Sequence, residues 1–529
     1  MLFATDHERV VADAVIQLVY GNPFLPERIE AERRALGTDF IPAGTLWHTR
    51  AEPERTPNIV RIGERAAALA ETLRGRLAGG TRARADELGL YEDLAVYLLF
   101  DRYQAELYEL VSDPRAATRR VASYGRFRED LEHLLGVRPA AFPAAGEAAH
   151  LFACCFQVRR AFHHIYANIL GASAPVTRLR AAVWQSVFTR DVRRYRRALS
   201  ARMGDLATLI TGPSGTGKEL VARAIGLSRY LPFYAETQTF AEDPAGAFCS
   251  LNLSALSPTL IESELFGHRR GAFTGALRDR VGWFEVCPPL GTVFLDEIGE
   301  VDTAIQVKLL RVLQTRTFQR LGETEDRRFQ GKLIAATNRD LGAAIEAGRF
   351  REDFYYRLCS DLIVTPALAE QLREAPEALS TLLRFIAGRV AGEAEAEGLA
   401  EEAGAWIRRH LGPDYAWPGN VRELEQCVRN VLIRGAYQPR RPGAAPASAR
   451  ARVAEAFLSG TLTVEALLQR YCALVYAQTG SYMETARRLG LDRRTVRTKV
   501  DAGLLTALRG EDGVGSRAGR GPAGPSSDR

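Results

Sequence analysis

Thr208-Leu-Ile-Thr-Gly-Pro-Ser-Gly-Thr-Gly-Lys-Glu-Leu-Val-Ala-Arg223 is the stretch from which the rest of the chain can be read. The apolar run Leu206–Ile210 predicts a buried strand, the glycines a turn, and the residues after Lys218 a helix. Strand, Gly-rich loop and helix in that order make a phosphate-binding P-loop. Gly212, Gly215 and Gly217, with Pro213, Ser214 and Thr216 between them, let the backbone curl so that several N–H groups face one anion. The helix adds its positive N-terminal end, and Lys218 a mobile charge for the outer phosphates. The next position usually carries a Mg²⁺-holding hydroxyl; here it is Glu219. A Gly-rich turn that binds nothing is the alternative, and the acids downstream argue against it.

Gly291-Thr-Val-Phe-Leu-Asp-Glu297 is an apolar run ending in two carboxylates. Ligands of α/β sheets bind at the carboxyl ends of parallel strands. Asp296 there can hold Mg²⁺, and Glu297 can orient or deprotonate an attacking water. Phe248–Leu253 predicts a short strand ending at Asn252, and Lys332-Leu-Ile-Ala-Ala-Thr-Asn338 a buried strand ending in an amide. Asn338 could bond the water or the outer phosphate; a simple turn asparagine is the other reading. Arg351 and Arg357 lie about two helical turns apart, suited either to phosphate charge or to ion pairs with Glu352 or Asp353. Glu262–Ala276 ends in a small-residue loop, Gly271-Ala-Phe-Thr-Gly-Ala276. A phenylalanine exposed between glycines is costly unless something outside the fold uses it; a Phe tucked back onto its own domain is the other reading.

Gly212–Glu219, the hexad 271–276, Asp296-Glu297, Phe350–Leu358 and Trp417-Pro-Gly-Asn-Val-Arg-Glu-Leu424 together resemble the bacterial enhancer-binding proteins. The resemblance covers Val183–Gly435 and, more generally, the C-terminus. It implies an AAA+ ATPase, using ATP and Mg²⁺, that activates sigma-54 RNA polymerase as a hexameric or heptameric ring. In that family Glu commonly follows the P-loop lysine. The resemblance further implies that Asn252 is a switch holding Glu297 away from water, that Asn338 is sensor I, and that Arg351 and Arg357 reach the neighbouring subunit's site. Arg422 would be sensor II on a helical lid. Gly271, Ala272, Phe273, Thr274, Gly275 and Ala276 would form the contact to sigma-54. Two departures stand out: the connection Arg229–Phe248 is longer than the family pattern, and Cys359–Leu372 lacks its usual proline-rich wording.

Residues 1–176 are expected to form a helical regulatory domain without a ligand motif. Asp93–Val111 is Leu- and Tyr-rich, and Leu151, Cys155, Val158, Phe162 and Tyr166 make one helical stripe. Cys154–Cys155 and His163–His164 could suggest a metal or redox site. Neighbours on a helix point about 100° apart, which favours core packing. Thr177–Arg202 is expected to be a basic helix with Val183, Val187, Val192, Tyr195 and Leu199 inward. Arg190, Arg193, Arg194, Arg196 and Arg197 would then be solvated; phosphate contact is the alternative.

Beyond an ATPase subdomain at 177–366, a lid is expected at 367–436, a tether at 437–460, and a disordered Gly/Pro/Ser/Arg tail at 509–529. Between them, 461–508 has a three-helix pattern. Thr463–Gln478 is amphipathic, with Leu468, Tyr471, Cys472 and Val475 on one face. Ser481 and Glu484 suggest a capping box, and Asp492 caps a last helix with Val496 and Val500 inward. Its outer faces carry Arg493, Arg494, Thr495, Arg497, Thr498 and Lys499. This is a helix-turn-helix pattern suited to double-stranded DNA and resembles a Fis-type module; a basic hairpin for protein contact is the alternative.

The 529 residues suit three or four domains at ~150 residues each. Hydrophobic content of 46% supports a sizeable core, and a net charge of only +6 confines nucleic-acid binding to a local patch. Seven cysteines without CxxC spacing suggest reduced thiols and a cytoplasmic setting. Neither a signal peptide nor an apolar run of membrane-spanning length is evident. The function expected is an ATP-driven transcription activator that binds upstream DNA and remodels sigma-54 holoenzyme. The alternatives are an AAA+ remodeller of another protein and a DNA-binding regulator independent of ATP turnover.

Overall fold

The computed structural model describes residues 1–42, 56–113, 119–171, 173–241, 248–439, 457, 462–501 and 503–505. The chain divides into two compact units, Met1–Tyr437 and Gln438–Arg529.

At the centre of the first unit is a five-stranded parallel sheet. Its strands are β1 (Thr208–Thr211), β2 (Phe248–Asn252), β3 (Thr292–Asp296), β4 (Lys332–Thr337) and β5 (Asp361–Val364), in spatial order β5-β1-β4-β3-β2. The apolar runs read from the sequence become strands because helices cover both faces, as an all-parallel sheet requires. Register pairs Thr211 with Thr337 and Asn252 with Asp296, so the strand ends singled out from the sequence lie along one edge.

On one face of the sheet, Val221, Ala222, Ala224 and Ile225 of the P-loop helix Lys218–Gly226 pack on Ile210, Phe294, Ile334 and Ala336. The same cluster continues into Ala161, Ile165 and Ile169 of helix Ala148–Asn168, and into Trp184, Val187 and Phe188 of helix Ala174–Phe188. The N-terminal helices therefore share a core with the sheet. The expected boundary at 176/177 falls inside a single helix, Ala174–Phe188.

The long connection after the P-loop helix explains much of this fusion. Phe233–Tyr234 and Thr239–Phe240 pair antiparallel as a hairpin, with Phe233 opposite Phe240. Leu231, Phe233 and Phe240 are buried in the N-terminal core. Phe233 meets Tyr124 at 4.6 Å and Phe152 at 4.9 Å between ring centroids, and Phe240 meets Phe156 at 4.0 Å. The Val121 N–H donates to the Gln238 carbonyl at 2.8 Å. Phe233→Ala should cost about 3–5 kcal/mol by emptying that aromatic site. Urea unfolding followed by near-ultraviolet circular dichroism would measure it; a loss under 1 kcal/mol, on the order of a surface substitution, would contradict the packing.

The basic segment departs from expectation. Helix Ala174–Phe188 stops at Thr189, which has φ 65°, and the chain resumes at Val192 and widens to a π-turn over Tyr195–Leu199. The inward stripe is buried at Val183, Val187, Val192 and Tyr195, across two helical pieces and not one. Arg190, Arg194 and Arg197 are exposed as expected, but Arg193 is only partly exposed and Arg196 is buried. Arg193 pairs with Asp93, which is 1% exposed, and Arg196 approaches the same carboxylate at 3.9 Å. A carboxylate buried on helix Ala85–Ser112 needs countercharge, and these arginines supply it.

Cys155 packs in the N-terminal core, and Val158, Phe162 and Tyr166 lie partly buried on the shared cluster. The His163 and His164 rings stand at 81° to each other, and burial holds both below the ordinary histidine range. The seven cysteines are all free thiols. Among the described residues no helix is long and apolar enough to cross a membrane.

Helices Leu368–Glu374, Ala378–Ala391, Ala396–His410 and Asn420–Arg434 make the lid. Tyr437, expected in the tether, belongs to the lid: it is 5% exposed and its hydroxyl donates to Glu423 at 3.0 Å. The remaining tether lies almost wholly, and the tail entirely, outside the described residues.

In the second unit, helices Val464–Thr479, Tyr482–Leu489 and Arg493–Lys499 pack around Cys472, Ala473, Val475, Ala486 and Val496. Tyr471 is exposed and Val500 half-buried, so neither reaches the core as expected. Only half of the capping box forms. Ser481 Oγ accepts from the Glu484 N–H at 3.5 Å, but the Glu484 carboxylate turns to Arg487 and Arg488, and Thr479 takes the Ser481 N–H.

Candidate functional site

The loop between β1 and the P-loop helix is built where side chains do not fit. Gly212 has φ 145°, and a Cβ there would meet Thr365 Oγ1 at 2.2 Å. Gly215 has φ 80°, and its Cβ would meet the Gly419 carbonyl at 2.3 Å. Both therefore require glycine. Gly217, also left-handed at φ 87°, caps the helix. The Lys218 ammonium donates to the Gly212 and Pro213 carbonyls at 3.0 and 3.2 Å, curled over the loop.

β3 delivers the acids to the same edge. Burial raises the Asp296 pKa, the adjacent Glu297 charge raises it further, and Lys218 opposes both. Glu297 sits in the left-handed region at φ 57°, an uncommon conformation for a residue with a side chain, held at a strand end. Its N–H donates to Asp296 Oδ1 at 3.0 Å, and its Oε2 accepts the Asn338 N–H at 3.3 Å. Burial lowers the Lys218 pKa while Glu297 and Asp296 pull it back up. Two neighbouring carboxylates, one of them disfavoured as an anion, and a lysine make a donor set that suits a divalent cation with a polyphosphate.

The lid closes over the loop. The Val421 N–H donates to the Gly215 carbonyl at 3.1 Å, Asn420 Nδ2 to the Ser214 carbonyl at 2.9 Å, and Arg422 Nη1 to Ser214 Oγ at 3.3 Å. Asn420 also accepts from the Leu368 N–H at 2.9 Å, tying two lid helices to the loop. Sequence reading missed Asn420, although it stands inside the Trp417–Leu424 motif. It also missed Thr365, whose hydroxyl lies 2.6 Å from that of Thr216. Thr365 follows β5 with no local signal; only the β1–β5 pairing brings it there.

Other expected residues stand apart. Asn252 ends β2 beside Asp296, but its side chain accepts from the Ser254 N–H and hydroxyl at 3.0 and 2.7 Å and does not touch Glu297. Glu219 turns to Arg223 at 3.4 Å. Arg351 forks onto Asp353 at 2.7 Å, the ion pair anticipated as the alternative, while Arg357 is exposed and makes no ion pair among the described residues.

The hexad caps a hairpin in which Gly267–His268 pairs with Arg280–Val281. Arg269 clamps its base through Asp279 at 2.6 Å and Glu323 at 3.0 Å. Within the tip the Gly271 N–H donates to the Ala276 carbonyl at 2.9 Å, and the Ala272 N–H to that of Arg269 at 3.1 Å. Gly271 and Gly275 take φ 82° and 101°. Phe273 is half-buried, its ring 4.9 Å from that of His268, outside the core; Thr274 and Gly275 are exposed.

In the second unit Arg493, Arg494, Arg497 and Thr498 are exposed on the last helix. Thr495 is tied to Asp492 at the cap, Thr498 bonds the Thr495 carbonyl at 2.9 Å, and Lys499 pairs with Glu465.

The family described as "Sigma-54 interaction domain" matches residues 186–363. The Nif-specific regulatory protein of Azotobacter vinelandii is 46% identical over 225 residues, 42% of this chain and 39% of that protein. The transcriptional regulatory protein ZraR of Escherichia coli K12 is 40% identical over 299 residues, 56% of this chain and 63% of that one. The match thus spans less than two thirds of either relative. The crystal structure of NtrX from Brucella abortus aligns with a TM-score of 0.38 at 25% identity, covering 72% of this chain and 75% of that one. Residues 186–363, which carry the sheet, the loop, the paired acids and the hexad hairpin, belong to the sigma-54 interaction domain family.

Proposed function

We propose that the chain is an ATP-hydrolysing transcription activator that binds upstream DNA, assembles as a hexameric or heptameric ring, and remodels sigma-54 RNA polymerase toward the open promoter complex. The observation that carries this is one sigma-54 interaction domain holding both a lid-closed P-loop beside paired acids and a separate clamped hairpin tipped by Phe273 and Thr274.

In this reading the N–H groups of Gly212–Gly217 and Lys218 hold the phosphates of ATP. Asp296 would hold Mg²⁺, which when bound would neutralise phosphate charge. Glu297 orients water and takes its proton, Asn338 steadies that geometry, and Asn252 acts as the switch once released from Ser254. Arg422 reads the nucleotide from the lid. Arg351 and Arg357, which bond neither Asp296 nor Glu297 among the described residues, act on a neighbouring copy; an arginine supplied in trans is worth roughly 10³–10⁵ in rate. Movement at the strand ends reaches the hairpin, and its tip pushes on sigma-54. Arg493, Arg494, Thr495, Arg497, Thr498 and Lys499 form the DNA-facing helix, with Lys499 leaving Glu465 to do so.

Purified chain, sigma-54 holoenzyme and a supercoiled promoter with upstream DNA would be probed by permanganate footprinting. Melting that needs hydrolysable ATP is expected. Melting with a non-hydrolysable analogue alone would overturn the reading.

A further inference from the structure

Where the N-terminal helices meet the sheet there is a pocket of about 120 Å³, partly open to solvent. Val187, Ile225 and Leu290 supply apolar wall; Ser228, Arg229 and Lys332 supply polar groups. Ile225 is on the P-loop helix, about 10 Å along its axis from Lys218 at 1.5 Å per residue.

The polar groups are the unusual feature. Lys332, on β4, is enclosed, and its ammonium meets only the Leu206 and Met203 carbonyls at 2.9 and 3.4 Å. Arg229 likewise spends one nitrogen on the Pro289 and Gly291 carbonyls at 2.9 and 2.6 Å. Neither makes an ion pair among the described residues. The acids nearby act on them only through space and bond other groups: Asp361, which acts on Lys332, accepts the Thr208 hydroxyl at 3.1 Å, and Asp205, which acts on Arg229, faces Arg316 at 3.5 Å. Burial brings Lys332 down to about 8 and Arg229 to about 10; Asp361 pulls Lys332 back up, and the positive charges of Arg229 and Arg316 lower it again. The Ser228 hydroxyl is buried with no hydrogen-bond partner. Desolvated cations and an unmatched hydroxyl among the lining residues call for an anion. The apolar walls call for a carbon body, and a cavity of ~150 Å³ accepts benzene.

We propose that this pocket binds a small organic monocarboxylate of about four to six carbons, its carboxylate among Lys332, Arg229 and Ser228 and its body against Val187, Ile225 and Leu290. The site joins the N-terminal helices, the entry to the docked hairpin and the end of the P-loop helix, so it is placed to report a metabolite to the nucleotide site. Binding itself does not depend on ATP turnover, so titration without nucleotide tests it separately from the proposed ATPase.

Isothermal titration of the full chain with butyrate, isovalerate and hexanoate is the test, beside isovaleramide as the neutral isostere and inorganic phosphate as the bare anion. At least one carboxylate should saturate at or below about 1 mM, and isovaleramide should bind at least about tenfold more weakly than isovalerate. Lys332→Met should weaken binding about tenfold or more. Ser200→Trp, at the pocket rim, tests the same site with both cations kept and should block it. The proposal is overturned if no carboxylate saturates, if isovaleramide matches isovalerate, if phosphate binds in preference, or if a folded Lys332→Met or Ser200→Trp keeps the parent affinity.

Discussion

Lys218→Ala is expected to lower phosphate release from ATP by about 10²–10³-fold, the scale of losing one preorganised electrostatic contact to a reacting group. Lys218 follows the loop directly and curls over it, with Glu297 and Asp296 both acting on its charge. Its ammonium bonds only loop carbonyls, so its loss should leave the sheet intact. A malachite-green phosphate assay and a thermal melt separate the two effects. The melting temperature should move by no more than about 4 °C, the shift from about 1 kcal/mol in a domain of this size. Turnover at the parent rate in a folded Lys218→Ala protein would remove the P-loop from the chemistry and with it the proposed motor.

Thr274→Ala should do the reverse: abolish sigma-54-dependent open-complex formation while ATP hydrolysis largely survives. Its hydroxyl is exposed at the hairpin tip and has no partner among the described residues, so truncation should change stability by no more than about 0.5 kcal/mol. The Arg269–Asp279 clamp lies below it and is untouched. Parallel phosphate-release and promoter-melting assays on one preparation would read both quantities. Unchanged promoter melting would refute the coupling, and loss of both activities would place Thr274 in the ATPase machinery.

Much of the nucleotide site was legible because it is local. Glycines at Gly212, Gly215 and Gly217, a lysine after them and acids after an apolar run are short-range patterns with direct backbone meaning. The hexad was legible too, since two glycines around Phe273 announce a tight tip. Less legible was whatever depends on partners distant in sequence. The Asn252 side chain bonds Ser254, a turn partner that its role in the family resemblance does not reveal, because a strand-end amide takes the nearest turn donor. Arg193 and Arg196 were read as solvated because nothing nearby in sequence reveals a buried Asp93.

The sequence by itself determined the strand–loop–helix, the acids that follow it, the hairpin tip and the three short C-terminal helices, all written in spacings of a few residues. The tertiary structure alone decided that the N-terminal helices and the sheet share a core, that hairpin 233–240 is pinned by aromatic rings, and that two cations without an ion pair among the described residues line one pocket. Burial and countercharge are sums over segments far apart in the chain, 62 residues for Arg229 and Gly291, 100 for Arg193 and Asp93, 129 for Lys332 and Met203, and no local pattern carries them.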